Sequence, residues 1–141
     1  MAALVDTNVL IYRFDVRYPE KQKIATRVLS EGLAKDTVRI PHQAIVEFVS
    51  VVSRAGRGAP PLLSEADAWH EAEMFLVDFP VLYPTDRVVR AAIRGAAAYR
   101  LPWFDAHLWA YAECFHCNEI LTEDFQHGRL YGTVKAVNVF L

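Results

Sequence analysis

Short apolar runs alternate with longer helical stretches along the whole chain, and few folds accept that order. Runs suited to buried strands fall at 2–5, 37–40, 81–83, 119–122 and 134–139, and segments of helical periodicity lie between them at 19–35, 42–55, 64–79, 85–99 and 105–115. Strands separated by helices return in parallel, and the helices are carried onto the faces of the sheet. The pattern predicts an α/β fold, a three-layer α/β/α sandwich around a central, mostly parallel sheet. Two helix starts carry capping signals, Ser64-Glu65-Ala66-Asp67 and Thr85-Asp86. Within 64–79, Trp69, Ala72, Leu76 and Phe79 recur at helical spacing and predict a core stripe. The linker-like stretch 57–63 is too short to separate two units, so residues 1–141 are expected to form one domain. In such a sheet, sites form outside the carboxyl ends of the strands.

Composition narrows the function classes. With 53% hydrophobic and 23% charged residues, the chain is not disordered or low in complexity. No uncharged run exceeds seven residues, and no basic segment followed by an apolar one opens the chain. A soluble, cytoplasmic protein that makes no membrane contact is therefore expected. Two nearby cysteines, Cys114 and Cys117, make no disulfide framework and suit a reducing compartment. A net charge of −2 gives no general attraction to nucleic acid, so a polyanionic partner needs a local basic patch or a metal.

Four acids stand where such a sheet can use them. Asp6 ends the run Ala2-Ala3-Leu4-Val5 and precedes Thr7-Asn8, so it sits at a strand's carboxyl end and equally suits a helix cap. Glu47 lies on a helix made apolar over most of its circumference by Ile45, Val46, Phe48, Val49, Val51 and Val52. Gln43, Glu47, Ser50 and Arg54 form its polar stripe, which either meets solvent or lines a cleft. Asp105 is the only charged residue between Arg100 and Glu113 and follows Pro102-Trp103-Phe104. An acid at that helix start is stabilised by free backbone N–H groups, and the aromatic density around it suggests a largely buried floor. Asp124 follows Glu119-Ile120-Leu121-Thr122, so Thr122 and Asp124 can share a cleft while Glu123 faces water, although turn chemistry also favours Asp there. Four carboxylates at one edge require protons or a divalent cation to offset their repulsion. Oxygen donors without a matching His or Cys set favour Mg2+ or Mn2+ over zinc.

Other motifs carry less. Cys114-Phe115-His116-Cys117 has no second cysteine pair and falls at the end of a helix, where a thiolate gains nothing from the dipole. The five histidines show no metal-ligand spacing, and only His127, close after Asp124, suggests a supporting role. Arg87, Arg90 and Arg94 recur on one helix face in the most basic stretch of the chain and are candidates for contact with a polyanion, as well as an ordinary solvated face. Arg13, with Arg17, Lys21 and Lys23, is a rival phosphate-contacting group.

Val5-Asp6-Thr7-Asn8-Val9-Leu10-Ile11-Tyr12, Glu47 on its helix, Trp103-Phe104-Asp105-Ala106 and Leu121-Thr122-Glu123-Asp124-Phe125 resemble, in order and spacing, the motifs of PIN-domain ribonucleases. The likeness is greatest to VapC-type toxins of type II toxin–antitoxin pairs, and it reaches the closing Val137-Asn138-Val139-Phe140. Val139 departs from it, since many relatives have proline there. The resemblance implies a PIN-like sandwich and a Mg2+- or Mn2+-dependent endoribonuclease acting on single-stranded or structured RNA. Asp6, Glu47, Asp105 and Asp124 would be the catalytic, metal-binding carboxylates for one or two ions, with Asn8 and Thr122 in support. It further implies a homodimer silenced by a cognate antitoxin, docked around Ile11, Tyr12 and Phe14 or along 64–79. Two other classes stand beside it. One is a catalytically silent PIN module that only binds RNA or protein. The other is a metal-dependent phosphatase of the haloacid-dehalogenase type, which usually has a second Asp where this chain has Asn8.

Overall fold

The computed structural model describes residues 1–56 and 58–141, so that Arg57, at the head of the linker-like stretch, lies outside the described residues. The strands are Ala3–Val5 (β1), Val38–Pro41 (β2), Val81–Leu82 (β3), Glu119–Leu121 (β4), Leu130–Tyr131 (β5) and Val134–Val137 (β6), in the sheet order β3-β2-β1-β4-β6-β5. Every neighbouring pair is parallel except the β5–β6 hairpin. The expected three-layer architecture is present. Thr7–Tyr12 (α1), Pro19–Lys35 (α2), His42–Val52 (α3) and Glu65–Asp78 (α4) cover one face, around Leu10, Leu29, Phe48 and Phe75. Asp86–Tyr99 (α5) and Trp103–Cys114 (α6) cover the other, around Trp109, Ala92 and Ile120. The pleat of β1 serves both layers, Ala3 and Val5 packing into the first core and Leu4 into the second.

Helix starts follow local chemistry. Ser64 Oγ accepts from the Asp67 N–H at 3.1 Å, and Thr85 Oγ1 from the Val88 N–H at 3.4 Å, as their capping signals predict. Pro19 occupies the first turn of α2, where its missing N–H costs nothing.

The chain order then makes a crevice. From β1 the chain moves outward to β2 and β3, crosses back through α5 and α6 to β4 on the other side of β1, and continues outward to β6. β1 and β4 are thus adjacent strands whose onward connections leave in opposite directions, and a cleft opens at their carboxyl ends.

Some elements differ from the sequence pattern. The six-residue α1 is too short to show helical periodicity. β6 falls within the expected run at 134–139, whereas β5 was not signalled by an apolar run; Gly132, at φ 66°, makes the tight turn of their hairpin with Thr133. The buried stripe of α4 is Ala68, Ala72 and Phe75, continuing to Phe79, whereas Trp69 and Leu76 are 57% and 46% exposed. The small Ala68 and Ala72 let α4 approach α3, and Phe75 meets Phe48 edge-on with ring centroids 5.2 Å apart. Ile11, Tyr12 and Phe14 are only partly exposed, packing against the first core.

Candidate active site

Asp6 sits where β1 ends and α1 begins, and the local chain fixes it from both sides. Its backbone N–H donates to the Leu121 carbonyl of β4 at 3.0 Å, which locks the two strand ends together. Its Oδ1 caps α1 by accepting from the Thr7 N–H at 2.6 Å, and Oδ2 accepts from the Thr122 hydroxyl at 2.7 Å. The same hydroxyl accepts from the Asp124 N–H at 3.0 Å. Asp6 is therefore both the helix cap and a member of the cleft, and only 3% of it is exposed.

Three further acids come to this edge. The Asn8 amide nitrogen donates to Asp6 Oδ2 at 3.4 Å and to Asp124 Oδ2 at 3.2 Å, bridging the ends of β1 and β4. Glu47 reaches in from α3, its Oε2 accepting from the Thr7 hydroxyl at 2.8 Å and its Oε1 from the Gln43 amide at 3.0 Å. Gln43 also donates to the Phe104 carbonyl at 3.3 Å, which ties α3 to the first turn of α6, where Asp105 stands half-buried. Of the polar stripe on α3, Gln43 and Glu47 enter the site, while Ser50 and Arg54 meet solvent.

Burial and mutual repulsion act on two of the acids. Burial foremost, with the charges of Asp124 and Asp105 behind it, pushes the Asp6 carboxyl up to about 7, against the opposing pull of the Thr122 and Thr7 hydrogen bonds. Burial, then Asp124 and Glu47, raises Asp105 above the usual carboxylate range. Among the described residues, no group of three or more His, Cys, Asp or Glu side chains stands assembled to hold a metal ion. The acids instead form two hydrogen-bonded sets, Asp6–Asn8–Asp124 and Thr7–Glu47–Gln43, with Asp105 close enough to couple to both. The chemistry of these donors fits a hard divalent ion. They are all oxygens, and the buried Asn8 Oδ1 has no hydrogen-bond partner.

The aromatic floor expected around Asp105 is divided. Ala106, Leu108 and Trp109 are buried, but Phe104 is 69% exposed, and Trp103 is exposed with the His107 ring edge-on against it at 4.4 Å. Glu123 does not simply face water. It is held by the Tyr12 hydroxyl and by Lys21. His127 is turned to the chain end, its ring nitrogen accepting from the Asn138 N–H at 3.0 Å. The Cys114 and Cys117 thiols are both raised by burial, which suits packing and not nucleophilic work. Arg87, Arg90 and Arg94 line a groove of about 280 Å3 with Glu113 and Cys114, at the end of α6 opposite Asp105. Arg13 lies at the end of α1, its guanidinium over the Phe14 and Phe75 rings.

Thr7 and Gln43, which no motif marks as site residues, both hold Glu47. The i,i+4 spacing of Gln43 and Glu47 was the available signal.

The profile of one family, the PIN domain, matches residues 3–132. No curated protein matches the chain. Among solved structures, a toxin–antitoxin complex from Klebsiella pneumoniae is similar with a TM-score of 0.68 and 18% identity, over 94% of this chain and 95% of that one. The VapBC2 complex from Rickettsia felis, bound to a DNA fragment from its promoter, is similar with a TM-score of 0.69 and 11% identity, over 98% of this chain and 100% of that one. With the sandwich, the crevice beside β1 and a profile match over most of the chain agreeing, this chain belongs to the PIN-domain family.

Proposed function

We propose that this protein is an endoribonuclease toxin that hydrolyses RNA phosphodiester bonds with the help of Mg2+ or Mn2+ and is silenced by a cognate antitoxin. The observation that carries this reading is the approach of Asp6, Glu47, Asp105 and Asp124 to one crevice, with two of the four carboxyls pushed upward. Membership of the PIN family supports nuclease chemistry, and the likeness to two toxin–antitoxin complexes supports the toxin role and the antitoxin partner.

Asp6, Glu47, Asp105 and Asp124 would hold one or two ions. A bound divalent ion supplies a water of lowered pKa and offsets charge at the phosphorus. The protein supplies position. Thr122 fixes Asp6 and the Asp124 backbone through one hydroxyl, Thr7 and Gln43 aim both oxygens of Glu47, and Asn8 holds Asp6 and Asp124 at a set separation. Without compensation the cluster repels a phosphodiester, so cation binding and substrate binding are coupled. Trp69, Leu76 and Val77 on α4 offer an exposed apolar surface for the antitoxin or for the second copy of a homodimer.

The test is cleavage of single-stranded RNA by the purified protein, with a small phosphate ester as the comparison. Cleavage is expected only with added Mg2+ or Mn2+, and Asp6→Asn or Asp105→Asn should lower it by about a thousandfold, the scale of losing several kcal/mol of transition-state stabilisation. Undiminished cleavage by a folded double variant in chelator sinks the proposal. Mn2+ binding without any cleavage leaves a silent binding module in its place.

A further inference from the structure

Glu123 lies between Thr122 and Asp124, two residues placed in the site, yet its own carboxylate is engaged elsewhere. The Tyr12 hydroxyl donates to Glu123 Oε1 at 2.6 Å, and Lys21 Nζ donates to Oε2 at 2.9 Å and to the Tyr12 oxygen at 3.1 Å. The three groups close a triangle that joins α1, α2 and the turn after β4. Lys21 is fixed in turn by aromatic faces, its Nζ lying 4.7 Å from the Tyr12 ring centroid, 5.7 Å from Tyr18 and 5.8 Å from Phe140. Asn8 and Tyr12 are four residues apart on α1 and so share a face. One turn of that helix grips Asp124 and the next grips Glu123, so two consecutive residues of the turn are held on one rail.

Resting on the function proposed above, we infer that Tyr12 and Lys21 are positioning residues. By pinning Glu123 they set the 122–124 turn so that Thr122 and Asp124 present their oxygens to the acidic crevice, and they keep a fifth carboxylate from swinging into it. Neither residue hydrogen-bonds to any of the four acids of the crevice. Each acts through Glu123.

The experiment measures Mn2+ affinity of the intact, RNA-free protein by calorimetry, with thermal melts alongside. Tyr12→Phe removes one hydroxyl and retains the ring that faces Lys21 and Phe140, so it keeps its fold even where Lys21→Met does not. Both variants should bind Mn2+ about tenfold more weakly, the usual scale for partners that orient metal ligands. Lys21→Arg should restore most of the affinity, because a guanidinium also pairs with Glu123. In a Glu123→Gln background, adding Lys21→Met should cost little more, since the carboxylate it acts through is gone. Wild-type affinity in Tyr12→Phe and Lys21→Met, whatever their melting temperatures, overturns the inference and leaves the nuclease reading standing. Absence of Mn2+ binding by the wild type overturns that reading, and the positioning role falls with it.

Discussion

Asp6 performs two tasks that pull in opposite directions. As the cap of α1 it is best ionised, since a carboxylate accepts from the Thr7 N–H and favours the positive end of the helix dipole. As a buried group facing Asp124 and Asp105 it is better protonated, and burial wins, lifting its carboxyl from 3.8 to about 7. The consequence for stability has a definite sign. In the unfolded chain Asp6 loses its proton near its ordinary value, while in the metal-free fold it keeps it until about 7. Its contribution is therefore fully present below the ordinary value and is lost as pH rises through the folded one, by about 4 kcal/mol in all. We expect Asp6→Asn, which stays neutral and retains an acceptor for Thr7, to melt higher than the wild type at pH 8 and to lose that advantage at pH 4. Equal melting temperatures at pH 8, measured in chelator, would show that the crevice does not hold Asp6 under strain. A higher melting temperature together with lost cleavage is the pattern of a site that spends stability on function.

The α5–α6 pair shows what an element needs beyond its apolar pattern. Gly95 in α5 faces the ring of Trp109 in α6 so closely that a Cβ would overlap Cε3 and Cζ3. Trp109 has no room to yield, being buried, with its indole N–H donating to the Tyr131 carbonyl at 2.8 Å and its ring against Tyr99. In an exposed helix, Gly→Ala gains up to about 1 kcal/mol, but overpacking a core costs about 1–3 kcal/mol. Gly95→Ala should therefore destabilise, with a fall of about 3–8 °C in Tm by differential scanning calorimetry. A rise in Tm would mean that the helices part freely. The same pair shows what was legible in the sequence. The alternation of apolar runs and helical segments located the main strands and helices, because periods of two and 3.6 survive in composition. Phase did not survive as well. On α4 both Trp69–Leu76 and Ala68–Phe75 are spaced for a stripe, and only the fit of small residues against α3 selects the second. Short elements such as α1 and β5 hold too few residues for any period to emerge. In the site, Asp6 and Asp124 were legible because they follow apolar runs, Asp105 because it opens a helix and Glu47 because it is a lone acid on an apolar helix. The grip of Tyr12 and Lys21 on Glu123 was not, because nothing local marks a contact made across more than one hundred residues.

At the scale of the whole molecule, the acidic crevice and the most basic helix face occupy different places. The chain carries −2 overall, and its acidic crevice attracts no polyanion unaided. The two basic groups differ in how much charge they have to spare. Around the end of α1 and the start of α2, Arg17 is bound to Asp15 through two hydrogen bonds of 2.8 Å, and Lys21 is bound to Glu123, so half of the Arg13, Arg17, Lys21 and Lys23 group is already neutralised. On α5 the pairs are long and exposed, Arg90 to Asp86 at 3.6 Å and Arg94 to Glu113 at 3.8 Å, and among the described residues Arg87 makes no ion pair. Such pairs are weak and yield readily to phosphate. That groove begins beside Glu113, about 12 Å along α6 from Asp105 at 1.5 Å of rise per residue. On the function proposed above, an RNA strand has to reach from the crevice to the groove before it gains from both, whereas a dinucleotide spans only the acids. Charge reversal at Arg87, Arg90 and Arg94, introduced with Asp105→Asn so that the RNA survives, should flatten the dependence of log affinity on log salt by about two units for a long strand, at about 0.7 per lost contact. In the active protein the same reversal should leave dinucleotide cleavage unchanged. If reversal at Arg13 and Lys23 flattens the slope instead, the strand runs along α1 and α2, and the α5 arginines are only a solvated helix face.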